Sequence, residues 1–144
     1  MNPSATIMVV DDSPDDVALT LRAFKKNNIT SKVMVASDGE EALRYLLPDD
    51  DSSNPVPALV LLDINLPKIN GLEVLRRLRQ DERTRYLPVV VLTTSNEERD
   101  IVETYDLGAN SFVRKPVVFG DFLEAVRVLG MYWLLVNQPA KGTG

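Results

Sequence analysis

Four short strand-like runs in this sequence each end in a side chain capable of chemistry. Asp11 and Asp12 follow Ile7-Met8-Val9-Val10, and Asp63 follows Ala58-Leu59-Val60-Leu61-Leu62. Thr93 follows Val89-Val90-Val91-Leu92, and Lys115 follows Ser111-Phe112-Val113-Arg114. Two carboxylates about 4 Å apart repel by roughly 4 kcal/mol at an effective dielectric of 20, so three together need a retained proton or a supplied cation. Lys115 supplies one positive charge, and a divalent ion supplies two more. Donors that are all oxygen favour Mg²⁺ or a similar hard ion, which keeps several waters. Such an ion beside a lysine suits the charged oxygens of a phosphoryl group. A carboxylate can then act as nucleophile toward phosphorus, giving an aspartyl phosphate, while the Thr93 hydroxyl can hydrogen-bond a phosphoryl oxygen.

The residue types that are missing narrow the chemistry further. The chain has no Cys and no His. That excludes disulfides, thiol nucleophiles, Ser-His-Asp triads and His-ligated metals. A formal net charge of −5 argues against nucleic-acid and anionic-membrane partners. No charged N-terminal region leads into a long apolar stretch, and Met131 to Val136 is far shorter than the roughly 18 residues that span a membrane. A cytoplasmic protein is expected, and 144 residues suit one domain over 1–144.

These side chains need elements to hold them, and the pattern supplies an alternation of strands and helices. Ser13-Pro14 starts a first helix as N-cap and first residue, with Asp15 and Asp16 as an acidic first turn and Val17, Leu21 and Phe24 on its inner face. Asn27-Asn28 stops it. A second strand near Lys32–Ala36 precedes Asp38 and Glu41, which have capping-box spacing ahead of Ala42, Leu43, Leu46 and Leu47. The acidic stretch 48–57 is rich in Pro, Ser and Asn and reads as an exposed loop. Asn70 caps a third helix, with Leu72, Leu75 and Leu78 opposite Arg76, Arg77 and Arg79; these arginines, with Arg83 and Arg85, read as a solvated face. A fourth helix opens at Asn96 and closes at Gly108, and a last one runs from about Asp121 to Val136. Five strands alternating with five helices predict an α/β fold, a doubly wound parallel sheet with helices on both faces. In such sheets ligands bind beyond the carboxyl ends of the strands, where all four features fall.

Val9-Val10-Asp11-Asp12, Leu61-Leu62-Asp63-Ile64-Asn65-Leu66-Pro67, Val91-Leu92-Thr93-Thr94 and Phe112-Val113-Arg114-Lys115-Pro116 together resemble the receiver domain of two-component response regulators. The likeness covers essentially the whole chain in order. It implies a CheY-like sheet of order 2-1-3-4-5, with Asp63 as phosphoacceptor. Asp11 and Asp12 match the acidic pair that holds Mg²⁺, with the Asn65 backbone carbonyl completing the protein ligands. Lys115 matches the lysine that pairs with the phosphoryl group, and its bond to Pro116 is expected to be cis. Thr93 and Phe112 match the switch pair, in which the hydroxyl moves to the phosphate and the ring turns inward. Phe112 stands where the family often has Tyr, so any output contact through that hydroxyl is lost. Thr94 stands where many receivers carry Ala or Gly and would narrow access to the site. Asn65 and Ser95 occupy positions that tune phosphate lifetime.

The loop at 48–57, the segment Leu66-Pro67-Lys68-Ile69-Asn70-Gly71 and the ending Met131-Tyr132-Trp133-Leu134 resemble the small response regulators paired with bacterial phytochromes. The partner implied is a histidine kinase, such as a phytochrome, or a phosphotransfer protein. With no histidine in the chain, the phosphohistidine must sit on that partner. The last helix adds Leu123, Met131, Tyr132, Leu134, Leu135 and Val136 to its inward stripe of Phe122, Val126, Leu129 and Trp133. That excess of apolar surface predicts a homodimer contact. The expected role is signalling rather than enzymic. The enzymic rival is a haloacid-dehalogenase-like phosphatase with Asp63 as nucleophile. It calls for a second Asp two residues on as general acid, where Asn65 stands.

Overall fold

The computed structural model describes residues 6–26, 28–49, 54–93, 106–115 and 119–130. Five strands, β1 (Thr6–Val10), β2 (Lys32–Ala36), β3 (Leu59–Asp63), β4 (Val89–Thr93) and β5 (Ser111–Arg114), alternate with helices α1 (Pro14–Lys26), α2 (Gly39–Leu46), α3 (Gly71–Gln80) and α4 (Phe119–Val128). The strands form one parallel sheet in the order β2-β1-β3-β4-β5. The central strands are apolar at almost every position because both of their faces are covered. Successive residues point to opposite faces, so each strand feeds two cores. Ile7, Val9, Leu59, Leu61, Val90 and Leu92 pack with Phe24, Phe122 and Val126 from α1 and α4. Met8, Val10, Val60, Leu62, Val89 and Val91 pack with Leu46, Val74, Leu75 and Leu78 from α2 and α3. Each fully buried aliphatic side chain contributes about 1.5–3 kcal/mol, and this double layer holds the sheet flat-on between its helices.

The expected helix signals operate, with local differences. Ser13 Oγ accepts the Asp16 N–H at 3.2 Å and caps α1, and Asn28 closes that helix region in the left-handed conformation at φ 62°. Asp38 Oδ1 accepts the Glu41 N–H at 2.8 Å. Glu41 reaches back one residue further than a strict capping box, accepting from the Ser37 N–H at 2.8 Å. β3 runs one residue later than the apolar run suggested, so Asp63 is its final residue. Among the described loop residues, Asn54 and Pro55 are tied to Tyr45 of α2, through Asn54 Nδ2 to the Tyr45 carbonyl and Tyr45 Oη to the Pro55 carbonyl. Arg79 does not lie on a solvated face: its guanidinium donates to the backbone carbonyls of Gly108, Thr84 and Arg85. The last helix starts earlier than expected. It begins at Phe119, ends at Val128, and Gly130 adopts φ 74°, the left-handed turn that stops a helix after its last residue. The fourth helix expected from Asn96 lies outside the described residues except at its end, where Gly108 adopts φ 92°, and the apolar ending after Gly130 lies outside them altogether.

Candidate functional site

Parallel pairing places the strand ends on one edge. Val10 pairs with Leu62, Asp63 with Leu92, and Thr93 with Arg114. The residues that follow β1 and β5, Asp11 and Lys115, therefore stand beside Asp63. The backbone around Asp63 is held from below by α3. A Cβ added to Gly71 would lie 2.1 Å from the Asp63 carbonyl oxygen, so only glycine lets α3 begin this close to the end of β3. The Gly71 N–H donates to the Ile64 carbonyl at 2.8 Å, and Asn70 caps the same helix.

At the centre is the Lys115 ammonium. Its Nζ lies 2.7 Å from Asp11 Oδ2, 2.9 Å from Asp16 Oδ2 and 2.9 Å from Asp63 Oδ2. The other Asp63 oxygen, Oδ1, accepts the Asn65 N–H at 3.0 Å. Asp11 Oδ1 likewise accepts the Ser13 N–H at 3.0 Å. Asp11 and Asp63 are buried, at 2% and 4% exposure, while Asp12 is exposed. Burial pushes the Asp63 carboxyl above the ordinary carboxylate value, against the opposing pull of the Lys115 and Asn65 hydrogen bonds; the Asp11 charge adds to the rise. Burial pulls the Lys115 ammonium down, but Asp11, Asp16 and Asp63 together outweigh it and hold its pKa above that of a free lysine.

The donor set fits a hard cation. Asp11, Asp12 and Asp63 each present a carboxylate oxygen, and these oxygens lie within 4.8 Å of one another. Asp11 Oδ2 is buried with no hydrogen-bond partner. Its 2.7 Å approach to Lys115 Nζ is a close charge contact without the alignment of a hydrogen bond. A buried carboxylate oxygen with a lone pair unused, facing an all-oxygen cluster, is what a divalent ion of the Mg²⁺ class requires.

Sequence reasoning brought Asp11, Asp12, Asp63 and Lys115 to one place, and the structure puts them there. Asn65 adjoins them through its backbone, with its side chain exposed. Phe112 is half-buried against the core on the α2–α3 face, its backbone paired with Val91. The backbone of Thr93 closes β4. The Thr93 side chain, Thr94, Ser95 and Pro116 lie outside the described residues. The residue missed is Asp16, taken from the sequence as part of a helix start and nothing more. The signal was there: side chains in a helix tilt toward its N-terminus, and the N-terminus of α1 sits on the functional edge.

The response regulator receiver domain profile matches residues 7–127. The chain belongs to the response regulator receiver family. Among its curated relatives, the "Probable methanogenesis regulatory protein FilR2" of Methanothrix harundinacea is 38% identical over 132 residues, 92% of this chain and 85% of that protein. Response regulator Rcp1 of Synechocystis sp. is 36% identical over 141 residues, 96% of each chain. Among solved structures, the Mn²⁺-bound form of Rcp1 superposes with a TM-score of 0.74 at 33% identity, covering 94% of this chain and 96% of that one. The bacteriophytochrome response regulator AtBRR superposes with a TM-score of 0.79 at 43% identity, covering 95% and 100%. Receivers are signalling phosphoacceptors, and this one carries an acidic cluster and a paired lysine at the edge where a receiver site is built.

Proposed function

We propose that this receiver takes a phosphoryl group from a phosphohistidine on a partner protein onto Asp63. The observation that carries this reading is the Lys115 ammonium 2.9 Å from Asp63 Oδ2 at a buried edge where carboxylates outnumber cations. In the transfer, an Asp63 oxygen forms a bond to phosphorus as the donor's P–N bond breaks. The electron pair of that bond stays on the imidazole nitrogen. Lys115 then pairs with the charge on the transferred oxygens, and the Asn65 N–H holds the other Asp63 oxygen in orientation. Asp11, Asp12, Asp63 and the Asn65 carbonyl would hold Mg²⁺, which when bound offsets the carboxylate charge and that of the phosphoryl group. Thr93 and Phe112, on adjacent strands, would carry the change outward by exchanging two discrete arrangements. The phosphatase reading gains no support, since Asn65 supplies no carboxylic acid.

The donor is a histidine kinase or phosphotransfer protein, because this chain has no histidine of its own. The likeness to AtBRR supports a bacterial phytochrome as the kinase. FilR2, 38% identical, is named a probable methanogenesis regulatory protein, so likeness at this level does not by itself assign the kinase. Output is protein contact in the cytoplasm. A homodimer through the end of α4 is the expected form, and Val128 there is 70% exposed. The direct test is incubation with acetyl phosphate and Mg²⁺, followed by intact-mass measurement. The expected result is a gain of one phosphoryl group in the native chain and none in Asp63→Asn. An equal gain in both removes Asp63 from the role.

A further inference from the structure

We infer that Asp16 is a positioning residue that holds the Lys115 ammonium until a phosphoryl group takes its place, and thereby restrains phosphorylation of Asp63. The inference rests on Asp63 as phosphoacceptor and adds a control to it. Three carboxylate oxygens surround Lys115 Nζ, at 2.7, 2.9 and 2.9 Å, and an ammonium has three N–H donors. A phosphoryl oxygen arriving at Asp63 finds that ammonium hemmed in by all three, with N–H donors given to Asp16 and Asp63 and the Asp11 oxygen in close charge contact. One partner has to give way, and the three differ in what release costs. The Asp11 and Asp63 side chains are 1% and 6% exposed, so without Lys115 each is a buried carboxylate lacking a counter-charge. The Asp16 side chain is 35% exposed and can turn into water. It is the partner that exchanges.

Asp16 has no competing structural duty in its side chain. The capping hydroxyl of α1 belongs to Ser13, and the remaining contacts of Asp16 use its backbone, the N–H donating to Ser13 and the carbonyl accepting from Thr20 Oγ1 at 2.9 Å. Its carboxylate acts on the reaction in two ways of the same sign. It binds the ammonium in the state before transfer, and it adds negative charge near the incoming anion.

The test uses acetyl phosphate with Mg²⁺, where the Asp63–phosphorus bond forms as the donor's P–O bond breaks and acetate leaves with the electron pair. Initial rates are read by intact mass for the native chain, Asp16→Asn, Asp16→Glu and Asp15→Asn. The last variant removes the same charge from an exposed neighbour that does not touch Lys115. Asp16→Asn is expected to react about three-fold faster or more, the worth of a half-exposed ion contact expressed as a rate. Asp15→Asn is expected to change less, and Asp16→Glu to restore the native rate. A second readout needs no phosphoryl transfer: labelling of Lys115 by an amine-reactive ester, mapped by peptide mass, is expected to rise in Asp16→Asn alone. Unchanged rates, or equal gains in Asp15→Asn and Asp16→Asn, overturn the inference. If the native chain takes up no phosphoryl group, the phosphoacceptor reading falls and the restraint with it, whereas unchanged labelling beside normal uptake removes only the restraint.

Discussion

Two cations lie at opposite ends of the sheet, and they are held in opposite ways. Lys115, at the carboxyl edge, is surrounded by the carboxylates of Asp11, Asp16 and Asp63. Arg79, toward the amino ends of β4 and β5, is held by neutral oxygens: the Gly108 carbonyl at 2.8 and 3.1 Å, those of Thr84 and Arg85 at 3.2 and 3.3 Å, and Asn110 Oδ1 at 3.3 Å. Burial pulls the Arg79 guanidinium down, yet arginine stays charged under all ordinary conditions. Asn110 Oδ1 also accepts the Val89 N–H at 2.9 Å, so this network ties the start of β5 to the start of β4. Neutral acceptors make a static clamp whose strength is independent of any added charge. Carboxylate partners make a charge balance, and a metal ion or phosphoryl group alters it at once. The sheet is thus fixed at one end and electrostatically poised at the other, which is the arrangement a switch needs if strand ends are to move without the core opening.

The largest effect that separates the two ends comes from removing each cation. Lys115→Ala leaves Asp11 and Asp63 buried with no counter-charge, and its expected cost is about 3–5 kcal/mol in urea or thermal unfolding. Saturating Mg²⁺ is expected to recover part of that loss, because it returns positive charge to the same oxygens. A deficit that Mg²⁺ leaves untouched would mean the ammonium acts by packing alone.

Arg79→Ala is expected to cost less, about 1–2 kcal/mol, since it strips hydrogen bonds from carbonyls that water can partly reach. Mg²⁺ is expected to recover none of it. Arg79→Lys is expected to behave like the alanine variant, because an ammonium cannot span the several acceptors that the planar guanidinium reaches. Recovery of Arg79→Ala by Mg²⁺ would show that the two ends are not independent.

The same contrast explains what the sequence made legible. The sheet was readable because β1, β3 and β4 are apolar on both faces and Asp63 and Lys115 terminate runs of that kind. Strand order was legible only through likeness to a family, since periodicity does not say which strand pairs with which. Arg79 and Asp16 were misread for one shared reason. Each lies on a helix face that local spacing assigns to solvent, and each is claimed by a partner far along the chain: Lys115 is 99 residues from Asp16, and Gly108 is 29 from Arg79. At the end of α4 the apolar spacing alone marks no stop, and Gly130 in the left-handed conformation follows Val128.

The smallest effect is the pH dependence of the poised end, and its sign discriminates between a charged and a neutral Asp63. The folded-state pKa of Asp63 lies above its ordinary value of 3.8, so between the two values the folded chain binds more protons than the unfolded one. Stability from this group is therefore full below 3.8 and is lost as pH rises through the higher folded value. Lys115 works in a different window. Its raised pKa makes its contribution full below the ordinary lysine value of 10.5 and lost only as pH rises beyond it. At neutral pH without metal, Asp63→Asn removes a carboxylate whose charge the site disfavours, so the variant is expected to melt above the native chain. That gap is expected to close as pH falls toward 3.8, where the native Asp63 also becomes neutral. Thermal melts of both proteins across this range, compared at each pH, measure the gap directly. A native chain more stable than Asp63→Asn at neutral pH would mean that Lys115 pairing outweighs burial, and the carboxyl edge would then be a clamp like the other end.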